Sequence, residues 1–223
     1  MRRDATAQHG FTLLEIIVVL SVLGALAMML SPTAFRYIED GNVRRTQVDA
    51  ERLAIAINKM YTDTGRWPFY ADGDGSGAYT AGTDAALLTS NAVCVDGACT
   101  DATLPDDDTA GDAWALGSST IDNIANQLVT NTPFGSTDAN KDYLTTGGKA
   151  WKGPYVTQLP TTDPWQNSFI VSVRNLNPAV AFNSLKWTII ISSGPNGRLE
   201  TSPEVLMTAN PVAAGDDIIG RVR

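Results

Sequence analysis

The sequence predicts an α+β protein: a long N-terminal helix packed on a small antiparallel sheet, with a loop-rich insertion between them. Three observations lead there. Phe11 to Phe35 is a run of 25 residues with one ionisable group, Glu15. From Val43 onward, apolar residues recur at helical spacing. Near the C-terminus, Phe169–Val173 and Trp187–Ser192 have strand composition, β-branched and aromatic, bounded by turn residues.

As a helix at 1.5 Å per residue, residues 11–35 span roughly 37 Å, enough to cross a hydrocarbon core of about 30 Å. Arg2 and Arg3 in the short polar segment before it favour a cytoplasmic start. The run is longer than the 7–15 apolar residues of a secretory signal peptide. A plain signal anchor fits the length but leaves Glu15 unexplained, because a carboxylate near a helix centre costs about 2.5–3.5 kcal/mol on insertion scales.

Val43, Ala50, Leu53, Ala54, Ile57, Met60 and Tyr61 then form an apolar stripe, interrupted at Gln47, while Arg44, Arg45, Asp49, Glu51, Arg52 and Lys59 take other faces. This half of the helix is a spine against which a sheet folds. Thr64-Gly65 followed by Pro68 ends it. Pro32 lacks a backbone donor and is expected to kink or loosen the helix. Residues 70–150 are rich in Asp, Gly, Thr, Ser, Ala and Asn and read as loops with short structured pieces. Ile121–Val129 is a candidate short helix, capped by Ser119 or Thr120. There is no internal repeat. The formal charge is −8, which argues against binding nucleic acid by phosphate attraction.

Glycine at 10, phenylalanine at 11 and glutamate four residues on, inside an apolar helix, resemble the cleavage and assembly signal of type IV prepilins and type II secretion pseudopilins. The resemblance implies that prepilin peptidase cuts between Gly10 and Phe11 and methylates the new amine. Glu15 of one subunit would then face the Phe11 amine of a neighbour. Loss of residues 1–10 removes Arg2, Arg3 and Asp4, leaving −9.

A second block narrows the likeness. Lys152-Gly153-Pro154-Tyr155-Val156, Leu159-Pro160 and Asp163-Pro164-Trp165-Gln166-Asn167-Ser168-Phe169 resemble the GPY…P.DPWGNPY signature of the major pseudopilin of type II secretion systems. Thr64-Gly65-Arg66-Trp67-Pro68 is similar to that family's TGRYP turn. Ser192 to Gly197 stands where the family has a glycine-rich SxGxDG turn, and Asp216-Asp217-Ile218 where it has a closing acidic DI. Gln166 replaces the usual glycine, and Asn196 the usual aspartate. The likeness covers about residues 10–68 and 151–218, and residues 70–150 have no counterpart.

The resemblance implies a pilin-like fold with a leader at 1–10, a transmembrane and filament-core helix at 11–35, and a periplasmic globular domain at 36–223 carrying the 70–150 insertion. It implies a single-pass protein of the bacterial inner membrane. Prepilin peptidase, an inner-membrane assembly platform, minor pseudopilins and further copies of the chain would be its partners. The filament would push substrates through the outer membrane. A type IV pilus subunit used in adhesion, motility or DNA uptake remains the alternative, as does a membrane-anchored calcium-binding module that never polymerises.

Calcium is the cofactor that the resemblance implies. By position, Ser193, Asn196, Asp216 and Asp217 match the family's C-terminal calcium loop, and calcium takes oxygen ligands of this kind. A competing candidate comes from spacing: Asp72-Gly73-Asp74-Gly75-Ser76-Gly77 matches the first half of an EF-hand loop, with Asp72, Asp74 and Ser76 as ligands. Its twelfth position is Thr83, so the bidentate glutamate is missing. Asp138, Asn140 and Asp142 also alternate, and Asp-Gly sequences form turns without a metal.

Cys94 to Cys99 places Asp96-Gly97 at the centre of a two-residue hairpin, which makes Cys94 and Cys99 a cross-strand pair within disulfide reach. An oxidising compartment would join them. Enzyme readings find little. The only histidine, His9, lies in the leader, which leaves no Ser-His or Cys-His chemistry. Gly147-Gly148-Lys149-Ala150 lacks the first glycine and the hydroxyl of a P-loop. The chain is read as structural.

Overall fold

A computed structural model describes residues 11–68, 84–95, 98–116, 119–176 and 186–222. The chain divides into two compact units, Met1–Asn42 and Val43–Arg223. Helix α1, Leu13–Thr64, opens the described part of the first and supplies the start of the second. Pro32 does not interrupt it.

In the first unit, α1 has no partner for its apolar surface among the described residues. Leu13, Leu14, Leu20, Met28, Met29, Leu30 and Phe35 are all exposed. Among the described residues it is the one helix long and apolar enough to cross a membrane. A helix apolar all round needs lipid or other helices to cover it.

In the second unit, the middle of the predicted stripe faces inward: Ala50, Leu53, Ala54, Ile57 and Met60 are buried, joined by Ala56, whereas its two ends, Val43 and Tyr61, are exposed. Fully burying a Leu, Ile or Met side chain stabilises by about 1.5–3 kcal/mol, so this face supplies much of the core. Gln47 interrupts the stripe because its Nε2 donates to Ile219 O (3.1 Å) across the interface with the sheet. Gly65 ends the helix with φ +70°, and its N–H closes on Tyr61 O at 2.7 Å. Beyond the stop, Trp67 stacks on Tyr61 with ring centroids 3.9 Å apart.

Among the described residues nine short strands follow: β1 Leu87–Thr89, β2 Val93–Val95, β3 Ala98–Thr100, β4 Asp106–Asp107, β5 Ile121–Asn123, β6 Ile170–Ser172, β7 Ile189–Ser192, β8 Arg198–Leu199 and β9 Ile218–Arg221. The main sheet has five strands in the order β5-β1-β6-β7-β9. Antiparallel pairing joins β1 to β6, β6 to β7 and β7 to β9, as expected, while β5 pairs parallel to β1. The sheet is therefore mixed at one edge.

Both faces of the sheet are buried, which is why β6 and β7 read as unbroken apolar runs rather than alternating ones. Leu88, Val171 and Ile190 pack with α1, whereas Leu87, Ile170, Ile189 and Ile191 pack with Trp114 and Leu199 on the other face. At the α1 contact, a Cβ on Gly220 of β9 would lie 2.9 Å from the Ala50 backbone, so only glycine allows this approach.

The 70–150 segment does more than loop. It contributes β5 to one edge of the main sheet, β1 next to that edge, and Trp114 to the second core layer. The expected helix at Ile121–Val129 is half strand: β5 takes Ile121–Asn123, and a short π-helical turn covers Asn126–Thr130. Neither Ser119 nor Thr120 caps it; Asn123 Oδ1 instead accepts from Ala125 N at 2.7 Å. Strand β4 pairs parallel with β8 far along the chain, Asp106 opposite Arg198 and Asp107 opposite Leu199.

Candidate functional site

The residues singled out by sequence fall at three places. At the start of α1, Phe11 is 84% exposed. Glu15 sits in the first helical turn, nearer the helix end than the mid-helix cost assumes. Its carboxylate is occupied within the chain: Glu15 Oε2 accepts from Thr12 N (3.0 Å) and Thr12 Oγ1 (3.1 Å), while Glu15 N donates to Thr12 Oγ1 (3.2 Å). This is a capping box, two orphan donors satisfied reciprocally, with a carboxylate at the positive end of the helix dipole. Thr12 was missed in the sequence, although Thr-x-x-Glu ahead of an apolar run is its signal. Gly10 lies outside the described residues.

The C-terminal loop assembles from two segments far apart in sequence. Gly194 has φ +60°, and a Cβ there would lie 2.3 Å from Asp216 O, so glycine lets the 193–197 turn press onto Asp216. Asn196 N donates to Asp216 Oδ2 (3.0 Å), and Asn196 Nδ2 donates to Glu200 Oε2 (3.3 Å). Glu200 itself covers Gly215, a position where any side chain would collide with its carboxylate. Asp217 Oδ2 accepts from Glu200 N (2.9 Å) and Thr201 N (2.6 Å). Burial, and the negative charge of Glu200, push the Asp217 carboxyl above its usual range against those hydrogen bonds.

The three oxygens left over are informative. Ser193 Oγ, Asp216 Oδ1 and Asp217 Oδ1 are buried without a hydrogen-bond partner. Buried polar atoms are nearly always satisfied, and oxygen donors of this kind suit a hard cation. Ser193, Asn196, Asp216 and Asp217 are thus brought into one loop cluster, with Glu200 added. No family position pointed to Glu200 in the sequence. The loop is braced by the insertion: Asp106 N donates to Gly197 O (3.1 Å), Asp108 N to Leu199 O (2.9 Å), and Arg198 pairs with Asp108 at 2.6 Å.

Asp163, in the Asp-Pro-Trp segment, ties a second motif to the same region. Its Oδ1 accepts from Trp165 N and Asn167 N, and its Oδ2 from Ser192 Oγ at 2.7 Å. Asn167 Nδ2 reaches Gly194 O (3.2 Å). The competing EF-hand-like candidates Asp72, Asp74 and Ser76 lie outside the described residues. Asp138 is accounted for without a metal, since it caps a short 3-10 turn by accepting from Asn140 N.

Cys94 and Cys99 stand opposite each other in the β2–β3 hairpin and are disulfide-bonded. Their sulfurs lie 3.5 and 3.8 Å from Asp122 Oδ1. With both sulfurs in the bond, the trio offers no thiolate to a metal. Asp122 is fully buried; burial raises its pKa, opposed by donors that include Asn126 and Gln127.

Residues 6–31 match the family described as the prokaryotic N-terminal methylation motif. The chain is 33% identical over 63 residues to the type IV major pilin protein PilE1 of Neisseria gonorrhoeae, covering 28% of this chain and 38% of that one. A fimbrial protein of Neisseria meningitidis serogroup B is also 33% identical over 63 residues, covering 28% and 37%. The toxin coregulated pilin of Vibrio cholerae is 29% identical over 77 residues, or 34% of each chain. These likenesses support the type IV pilin superfamily. The chain spans about a third of the length of these pilin relatives. No solved structure matches it. Pilins are structural subunits and not enzymes, and the apolar N-terminal helix of this pilin-like chain suggests membrane anchoring.

Proposed function

We propose that the chain is a structural subunit of a type II secretion pseudopilus, cut between Gly10 and Phe11 and polymerised through its N-terminal helix. The observation that carries the polymerising part is a methylation motif leading into a helix whose apolar surface is exposed, with no partner among the described residues of its own unit. The secretion reading is supported by the second sequence block, where Asp163 and Asn167 of the Asp-Pro-Trp segment hydrogen-bond Ser192 and Gly194. A type IV pilus subunit is the second reading, favoured by the named pilin relatives. In either case the second unit lies outside the inner membrane, where its disulfide forms.

The C-terminal loop is proposed to hold calcium through Ser193, Asn196, Asp216 and Asp217. The orphaned oxygens fit such an ion, which would supply charge compensation to a cluster of carboxylates. The chain's own part is to hold those oxygens in place through the 193–197 turn and β4.

Mass spectrometry of the native protein should show a mature chain beginning with N-methylated Phe11. A mature start beyond Ala27 would mean a conventional signal peptide. Deleting the gene should abolish export of secreted proteins while leaving surface pili; the reverse pattern would select the pilus reading.

A further inference from the structure

The β2–β3 hairpin stands apart from the main sheet as a two-stranded sheet of its own. Val93, Val95, Ala98 and Thr100 on its outer face are exposed, and Cys94 and Cys99 are only half-buried. Burial by itself therefore does not keep a small thiol from the disulfide. On its inner side the hairpin meets a fully buried carboxyl group, Asp122 of β5. Asp122 Oδ1 lies 3.5 Å from Cys94 Sγ and 3.8 Å from Cys99 Sγ. Oxidised sulfurs have no hydrogen to donate, so this carboxyl takes its hydrogen bonds from elsewhere. Asn123 N and Asn126 Nδ2 donate to Oδ1, each at 2.7 Å, and Gln127 Nε2 donates to Oδ2 at 2.5 Å.

N–H donors on both oxygens favour the anion, whereas burial favours the neutral acid and moves ionisation to higher pH. The elements that pack around β5 are β1, β2, β3, the π-helical turn at Asn126–Thr130 and a 3-10 turn at Pro133–Gly135, and none of them carries a charged residue. Of the titratable groups nearby, Tyr143 donates its hydroxyl to Gln127 Oε1 at 2.5 Å. Asp101, just beyond β3, is engaged by Thr103 and Ser168. The Asp122 charge thus faces the two sulfurs without a cation from these elements to offset it.

We propose that the Asp122 carboxylate shields the Cys94–Cys99 disulfide and slows its reduction by thiols. In the exchange, an attacking thiolate forms a bond to one cysteine sulfur and the Cys94–Cys99 bond breaks. The electron pair leaves on the other sulfur as a thiolate, which takes a proton from water. A dithiol reductant then closes on itself, becoming a disulfide as both cysteines become thiols. At the point of exchange one negative charge is spread over three sulfurs, two of them beside Oδ1. A fixed carboxylate at that distance, in surroundings of low dielectric, raises the energy of this arrangement but not that of the neutral disulfide. For the same reason the freed thiols are held protonated. The shield sets in as pH rises through the folded pKa of Asp122, and it leaves the hairpin closed without burying the bond.

The test reduces the full-length protein, held in detergent, with dithiothreitol, and divides the rate by the concentration of reductant thiolate at each pH. From about pH 5 to about pH 9 the wild-type rate per thiolate should fall as Asp122 ionises. In Asp122→Asn it should be flat, and about tenfold faster at the upper end. After reduction, the pH dependence of iodoacetamide labelling should place the wild-type thiols at least about one unit above the free-cysteine pKa of about 8.5, with those of the variant closer to it. A wild-type rate per thiolate that does not change with pH overturns the shield, and that measurement needs no variant to fold. A folded Asp122→Asn protein that is reduced no faster than wild type, or that keeps the wild-type pH dependence, overturns it as well.

Discussion

The Glu15 carboxylate accepts from Thr12 within its own chain and is proposed to meet the Phe11 amine of another copy. Substitution can separate these roles. Glu15→Gln keeps a capping acceptor and loses the charge; Glu15→Ala loses both, with the cap worth about 1 kcal/mol. Both variants should insert in the membrane, since the charge penalty is gone. Both should fail to assemble if pairing matters, whereas normal filaments from Glu15→Gln would assign Glu15 to the cap alone. Gln166 poses a different residue-scale question. It occupies the position where the resembled family has glycine, and its φ is +76°. A side chain in that region is strained by roughly 1–2 kcal/mol, partly offset by the greater unfolded-state entropy of glycine. Gln166→Gly should therefore raise stability by about 0.5–1 kcal/mol in urea unfolding of a fragment from residue 36 onward. An unchanged or lower midpoint would show that the Gln166 side chain contributes contacts worth the strain.

Among the elements, the strands differ in how far the sequence announces them. β6 and β7 are apolar on both sides and stand out; β1 is hidden because its run from Ala85 to Leu88 is short and sits in a polar region. β5 is harder still, since the buried Asp122 inside it is satisfied by donors that include Asn123 N and, from the following turn, Asn126 and Gln127. The connection after β3 depends on a similar device. Asp101 accepts from Thr103 N (2.8 Å), Thr103 Oγ1 (2.7 Å) and Ser168 Oγ (2.6 Å), bridging two distant segments. Burial pushes its carboxyl up, but the hydrogen bonds from Ser168 and Thr103 outweigh this and leave it below its ordinary value. A lowered folded pKa means stabilisation that is present above the unfolded value, about 4, and lost as pH falls through the folded one. Asp101→Ala should cost about 1–3 kcal/mol at pH 7 and clearly less near pH 2, measured by urea unfolding at both. Equal losses at both values would mean that the ionised form contributes nothing. Asp122, raised by burial, has the opposite sign: its contribution is present below the unfolded pKa and lost as pH rises through the folded one.

For the molecule as a whole, the C-terminal loop should couple ion binding to stability. A ligand that binds only the folded state stabilises by RT ln(1 + [L]/Kd), about 2.7 kcal/mol at a hundredfold excess. Chelation should lower the melting temperature of the fragment from residue 36, and magnesium should not restore it, being smaller and strictly octahedral. Asp216→Ala with Asp217→Ala should abolish the shift. If Asp72→Ala with Asp74→Ala abolishes it instead, the ion sits in the insertion; no shift in any variant removes calcium from the account. The anchor helix, its stop at Gly65 and the buried stripe of the spine were determined by sequence alone. Each depends on local periodicity, on the cost of exposing apolar surface and on single-residue backbone freedom, all of which act over a few turns. What the tertiary structure decided is which distant segments meet. Neither Glu200 over Gly215, β4 against β8, nor β1 between β5 and β6 follows from any local pattern. Those contacts join residues tens of positions apart, and the chain's path through the core, rather than the composition of either partner, brings them together.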